Sequence, residues 1–420
     1  MAFTIYCCGT SSNSFDAFGD MERPQDEWDK KPKEFEQLWR DTQSGDVNVR
    51  TPAKVKFDQI VATRRATVTL RKNYYEGEIV STLAKNNRGH EYADWILIDG
   101  PGSGNYQSKM LWVKPGDYSD AHGIATGAGM DENVKHAIAV LKNEPGHRTL
   151  GVTPQMLQQQ IIKMRRKKVV PTAVNLIGWS RGAVTCIMIA NAIAADKALE
   201  GVSVRIFAVD PVPGGVNQSF YSSMTQLPKC VTEYYGVYAR DEVSRGFSPV
   251  IPKKMSTHTA IWLLPLPGMH ASVAGNSWVD KKSEVRSVYN LQGPGRVARY
   301  WAERCLTRWG VEMQRTAYYT DLQLCAMYDE MLENDPEFRR MRNYGYVAGR
   351  RQGYWDPIRD VYIEGTGYMS NYWSFDSVGG FNQQMSMMVK VKGKTFVNWH
   401  HQETYKLAHR KAWNRLTRGY

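Results

Sequence analysis

Val169-Val170-Pro171-Thr172-Ala173-Val174-Asn175-Leu176-Ile177 runs straight into Gly178-Trp179-Ser180-Arg181-Gly182, and Ala183-Val184-Thr185-Cys186-Ile187-Met188-Ile189-Ala190-Asn191-Ala192-Ile193-Ala194-Ala195 follows. The first run is the trace of a buried strand, and the last is long enough for a buried helix. A serine between two glycines at such a junction has the pattern of a nucleophile elbow, a strand, sharp turn and helix that present one side chain at the sheet edge. Gly178 and Gly182 fit because side chains flanking the serine would collide where strand and helix backbones approach. The helix would aim its N-terminal amides and positive dipole end at the place where an oxyanion develops. A bare Gly-x-Ser-x-Gly arises by chance in about one chain in five of this size, so the flanks carry the reading.

Similar runs repeat on both sides. Phe3-Thr4-Ile5-Tyr6-Cys7-Cys8 reads as a first strand ending in Gly9-Thr10, and Trp95-Ile96-Leu97-Ile98-Asp99 as a second ending in Gly100-Pro101-Gly102-Ser103-Gly104. Gly127-Ala128-Gly129 precedes a helical pattern over 130–141. Beyond the elbow, strands are predicted over 202–210, 230–241 and 258–265. Strands alternating with helices at this spacing predict an α/β fold, a mainly parallel sheet with helices on both faces. The catalytic domain is predicted over 1–290, with an insertion at about 20–90 that includes a short strand or hairpin at 67–70. Residues 291–420 change to aromatic and basic segments and read as a C-terminal accessory region.

The chain has 420 residues, 42% of them hydrophobic, which is enough for one large α/β domain and an accessory part and argues against global disorder. Its formal net charge is +12, of which residues 281–420 contribute +8. A field of this sign attracts phospholipid surfaces, nucleic acids and acidic proteins, and says nothing of fold. The six cysteines show no Cys-x-x-Cys spacing and the nine histidines are scattered, so neither a metal nor any other cofactor is expected. Gly100-Pro101-Gly102-Ser103-Gly104 lacks the spacing of a dinucleotide fingerprint. The start of the sequence has no positive n-region and apolar h-region of a signal peptide, no stretch reaches the length of a membrane span, and the cysteine usage suits a reducing compartment.

In an open parallel sheet, residues just past the strands' carboxyl ends meet in space. Ser180, Asp210, Asp241 and His270 all fall there, in the order nucleophile, acid, histidine. The serine needs a neutral imidazole to take its proton, and the imidazole needs a carboxylate to fix its tautomer. His270 lies in the turn-forming loop 267–275. Asp210, in Asp210-Pro211-Val212-Pro213-Gly214, is the preferred acid because prolines hold it rigidly. Asp241, in Arg240-Asp241-Glu242, is the alternative, its charged neighbours suiting an exposed ion-pair cluster. The oxyanion would be met by the backbone N–H of Arg181 and a second donor, with Gly9 (in Gly9-Thr10) the candidate and the glycines of 102–104 and 127–129 competing, both of these turns being alternatively phosphate-binding.

Taken together, Gly178-Trp179-Ser180-Arg181-Gly182-Ala183, Gly9-Thr10, Ile98-Asp99-Gly100-Pro101-Gly102, Asp210-Pro211-Val212-Pro213-Gly214, Arg240-Asp241-Glu242 and Pro267-Gly268-Met269-His270 resemble the type VI secretion lipase effectors with a Gly-x-Ser-x-Gly motif. The resemblance spans roughly residues 3–275. It implies an α/β-hydrolase fold and phospholipase activity of the A type, with Ser180 as nucleophile, Asp210 as acid and His270 as base. It also implies synthesis in a bacterial cytoplasm, delivery to a target cell's periplasm, and as partners a phospholipid membrane surface, a secretion spike protein and an immunity protein. Nucleic acid is not expected as a partner. The accessory region would hold the enzyme at a lipid surface or dock it to a delivery partner, with Trp355, Tyr368, Tyr372 and Trp373 as interfacial candidates. The rival readings are a cytosolic carboxylesterase for small soluble esters and a non-catalytic binding protein on a hydrolase scaffold, which fold alone does not separate.

Overall fold

The computed structural model describes residues 2–10, 12, scattered helical positions between 34 and 41, 44–56 except 54, 77–102 except 92, 127, 129–142, 170–214, 222–242, 247–275 and 292–340 except 315, 317, 318 and 320, plus the short strands 361–363, 367–369, 389–391 and 394–397. Six strands form the central sheet: β1 (Ala2–Cys7), β2 (Trp95–Ile98), β3 (Ala173–Trp179), β4 (Ser203–Val209), β5 (Val231–Ala239) and β6 (Ala260–Leu266). They run in the order β2-β1-β3-β4-β5-β6, and every neighbouring pair is parallel. The fold is therefore α/β. The strand order reverses between β1 and β3, and such a reversal opens a crevice beyond the carboxyl ends of the strands. Both Gly9-Thr10 and the elbow serine emerge into it.

A parallel sheet is buried on both faces, which is why its strands are nearly continuous apolar runs. All seven residues of β3 are buried. Alternate side chains feed two cores. Tyr6, Ile177, Trp179, Phe207, Val209, Tyr235, Val237, Leu264 and Leu266 face one side. Phe3, Ile5, Val174, Leu176, Val204, Ile206, Tyr234, Tyr238 and Leu263 face the other. Helices α2 (Met130–Leu141) and α3 (Arg181–Ala195) cover the second face through Ala137, Val140, Ala183, Cys186, Ile187 and Ala190. On the first face lie α1 (Ile79–Lys85), α4 (Gly293–Arg308) and α5 (Asp321–Glu333).

Helix α4 thus follows the predicted boundary at 290/291 in the sequence and packs on the sheet. Val297, Ala298, Trp301, Ala302, Cys305 and Leu306 recur at helical spacing and pack into the core on this face, and Leu324 of α5 and Phe338 belong to the same cluster. The arginines between them masked this stripe in a reading of average composition. At its end, Arg308 pairs with Glu233 of β5 and lies 5.5 Å over the Tyr235 ring, while the indole N–H of Trp309 donates to Glu233 at 3.2 Å. Tyr362 and Ile363 pair in parallel with Val250 and Ile251 in a smaller sheet, so strand pairing links the predicted accessory region to the segment that follows β5. Likewise, α1 falls inside the predicted insertion 20–90 yet buries Ile79, Val80, Leu83 and Ala84 in the core. The predicted strand at 67–70 lies outside the described residues, as do Trp355, Tyr372 and Trp373. Among the described residues no helix is long and apolar enough to cross a membrane.

Candidate active site

β3 delivers Ser180 with φ 57° and ψ −128°, and its amide donates to Val209 O at 2.9 Å. Such a backbone costs on the order of 1–3 kcal/mol and persists only where the surroundings impose it. Here they do. A Cβ on Gly182 would lie 2.1 Å from Cys7 O, and one on Gly178 2.5 Å from Gly182 O, so β1, β3 and α3 are packed closely enough to force the turn. Among the described residues only one other non-glycine has positive φ, and it is Asp210, at 44°.

These two residues meet His270. Its Nε2 lies 2.8 Å from Ser180 Oγ and its Nδ1 2.6 Å from Asp210 Oδ2. The other carboxylate oxygen of Asp210 accepts the Ala239 amide at 3.0 Å, and the Asp210 amide donates to Val237 O at 2.7 Å. All three side chains are buried, with Ser180 4%, Asp210 0% and His270 3% exposed. The imidazole sits between Trp179 (ring centroids 5.4 Å apart) and the edge of Phe247 (5.1 Å). The carboxylate therefore meets a ring nitrogen away from bulk water, where its effect on the imidazole is least screened.

Asp241 occupies a different place from the one expected. Rather than lying in an exposed charged cluster it is fully buried, its carboxylate held by Arg240 Nε at 3.0 Å to each oxygen. It also accepts the Gly268 amide at 2.8 Å, while its own amide donates to Gly268 O at 3.0 Å. Buried Glu242 accepts the His270 amide at 3.3 Å, and Ser272 Oγ accepts the Met269 amide at 3.2 Å. Three consecutive amides of the histidine loop are thus held by side chains. Burial of the charged tripeptide is offset by pairing, since the Asp241 carboxylate lies between the Arg240 guanidinium and the Gly268 amide. The sequence placed these residues at the sheet edge but held no sign that they face inward.

Arg181 is the first residue of α3, so its backbone N–H lies in the first turn of the helix, next to Ser180. Its side chain is buried, which pushes the guanidinium pKa down to about 10 and leaves it cationic at neutral pH. Gly9 packs on the Trp179 ring beside the elbow, where an added Cβ would come within 2.4 Å of the indole. Next to the competing turn 102–104, Gly100 donates to Ser12 O at 2.9 Å, and in the turn 127–129 Gly127 O accepts the Met130 amide at 3.2 Å, with Gly129 preceding α2. Residues 103 and 104 lie outside the described residues. No group of three or more His, Cys, Asp or Glu side chains among the described residues could hold a metal ion.

No family model matches the sequence, and no curated protein matches it. Solved structures do. One, a Tle1 effector bound to the VgrG spike from the type 6 secretion system, aligns over 68% of this chain and 52% of its own at 13% identity, with a TM-score of 0.30. Another, an uncharacterized protein from Pseudomonas aeruginosa, aligns over 84% of this chain and 62% of its own at 10% identity, with a TM-score of 0.33. The chain thus spans less than two thirds of either.

Proposed function

We propose that this chain is a serine hydrolase that cleaves acyl esters of phospholipids through an acyl-enzyme. The observation that carries the reading is the unbroken series from Ser180 Oγ through His270 Nε2 and Nδ1 to Asp210 Oδ2, at 2.8 and 2.6 Å, with all three side chains buried. In the proposed sequence of steps, Ser180 Oγ attacks the ester carbonyl carbon while His270 Nε2 takes its proton, and Asp210 stabilises the imidazolium. The carbonyl oxygen becomes an oxyanion facing the backbone N–H groups of Arg181 and Gly9. When the tetrahedral adduct collapses, the C–O bond to the alcohol breaks and Nε2 returns the proton to the leaving oxygen. Water, activated by the same imidazole, then releases the fatty acid and restores Ser180.

The phospholipid substrate is supported by the motif resemblance to type VI lipase effectors and by the chain's excess of positive charge, which favours anionic surfaces. From the same resemblance come the proposals of a spike and an immunity protein as partners and of action in a target cell's periplasm. A fluorophosphonate probe tests the chemistry, because it phosphonylates an activated serine. Wild type is expected to gain the probe's mass on the peptide carrying Ser180, and His270→Ala to lose the labelling. Folded wild type that stays unlabelled would refute the reading.

A further inference from the structure

The geometry points to the side chain of Arg181 as a positioning residue of the site, a brace that sets both the loop after β1 and the loop after β4 against the nucleophile. The inference rests on the hydrolase reading above and concerns the guanidinium, whereas that reading uses only the residue's backbone N–H. Arg181 Nη1 donates to Thr10 Oγ1 at 3.0 Å, and Nε donates to Pro213 O at 3.0 Å. Thr10 adjoins Gly9, the proposed second oxyanion donor. Pro213 lies three residues beyond Asp210, on the turn that aims its carboxylate. One planar group attached to the residue after Ser180 therefore holds the neighbours of two other functional groups.

The third face of the guanidinium shows how closely the turn is built around it. Gly214 has φ 92°, and a Cβ there would lie 2.0 Å from Arg181 Nη2. The turn brings bare backbone onto the guanidinium where any side chain would displace it. Donors diverging from a rigid fork suit two acceptors on separate loops, which a lysine ammonium on a flexible stem does not reproduce. Oxyanion donors and acid must hold their places within roughly 0.5 Å, and a misplacement of about 1 Å can cost about 100-fold in rate.

The test is steady-state kinetics of the full chain on a soluble acyl ester, normalised to sites titrated by a fluorophosphonate, for Arg181→Lys, Thr10→Val, Thr10→Ser and the Arg181→Lys/Thr10→Val double variant. Arg181→Lys is expected to lower kcat per titrated site by about 10- to 100-fold with KM little changed, as for a displaced catalytic group. Thr10→Val is expected to lower kcat several-fold, Thr10→Ser to recover most of that loss, and the double variant to fall no further than Arg181→Lys alone, because both changes break one contact. Arg181→Lys with wild-type kcat per site, or multiplicative losses in the double variant, overturns the brace while leaving the hydrolase reading intact. Wild type that neither labels nor turns over overturns both.

Discussion

Ser180 and Asp210 sit at backbone angles that only tight packing sustains, and the two carboxylates near His270 do different work because their surroundings differ. Asp210 meets the imidazole and one amide, whereas Asp241 balances a buried arginine and holds the loop that carries the histidine. Asp210→Asn is therefore expected to fold normally and lose on the order of ten-thousand-fold in kcat, since an amide at that place stabilises the wrong tautomer. Asp241→Asn is expected to act mainly on stability, costing about 3–5 kcal/mol in urea unfolding because it removes the buried carboxylate that pairs with Arg240 and accepts the Gly268 amide. Reversed outcomes would move the acid to Asp241. Candidates for nucleophile, acid and histidine were legible in the sequence, because each lies just past a strand and flanking glycines and prolines mark sharp turns. The inward direction of Arg181, Arg240 and Glu242 was not, since a charged side chain at a strand end reads as solvated until its partners are known.

Among the elements, strands and their ends were the most legible, and α2 begins and ends where its apolar spacing predicts. Several helices escaped, α1 and α4 among them. Helix α1 is only seven residues long, too short to set a periodicity against its polar surroundings, and the apolar stripe of α4 is interleaved with arginines. Buried Glu78 caps α1, its carboxylate accepting the Val80 and Ser81 amides at 2.9 and 2.8 Å. Desolvation outweighs these bonds and pushes its pKa up to about 7 from an ordinary 4.5. The folded state thus holds this proton between those values while the unfolded state releases it. The resulting stability is present below pH 4.5 and lost as the pH rises to about 7. Relative to Glu78→Gln, wild type is expected to lose about 3 kcal/mol of unfolding free energy across that window, at 1.36 kcal/mol per pKa unit. Urea titrations at several pH values check this, and a constant difference between the two proteins would contradict it.

At the scale of the whole molecule, the sheet order brings β1 and β3 side by side with their carboxyl ends at one crevice, which assembles residues 9, 180, 210 and 270 from four separate segments. The same sheet needs α4 on its other face. A chain stopped at residue 290 is expected to expose Phe207, Tyr235 and Leu264 and to aggregate, as judged by size exclusion and circular dichroism; a folded monomer of 1–290 would contradict the placement of α4 in the core. The predicted boundary at 290/291 follows mean composition, which tracks charge, whereas the packing of α4 follows which face of the helix is apolar. The most direct measurement is incubation of purified full-length protein with mixed-phospholipid vesicles, with wild type and Ser180→Ala compared and the lipid products identified by mass. Wild type is expected to release fatty acid and lysophospholipid in equal amounts, and Ser180→Ala, folded to the same degree, to release neither. Intact phospholipid after exposure to folded wild type, or equal release by both proteins, would contradict a phospholipid hydrolase acting through Ser180.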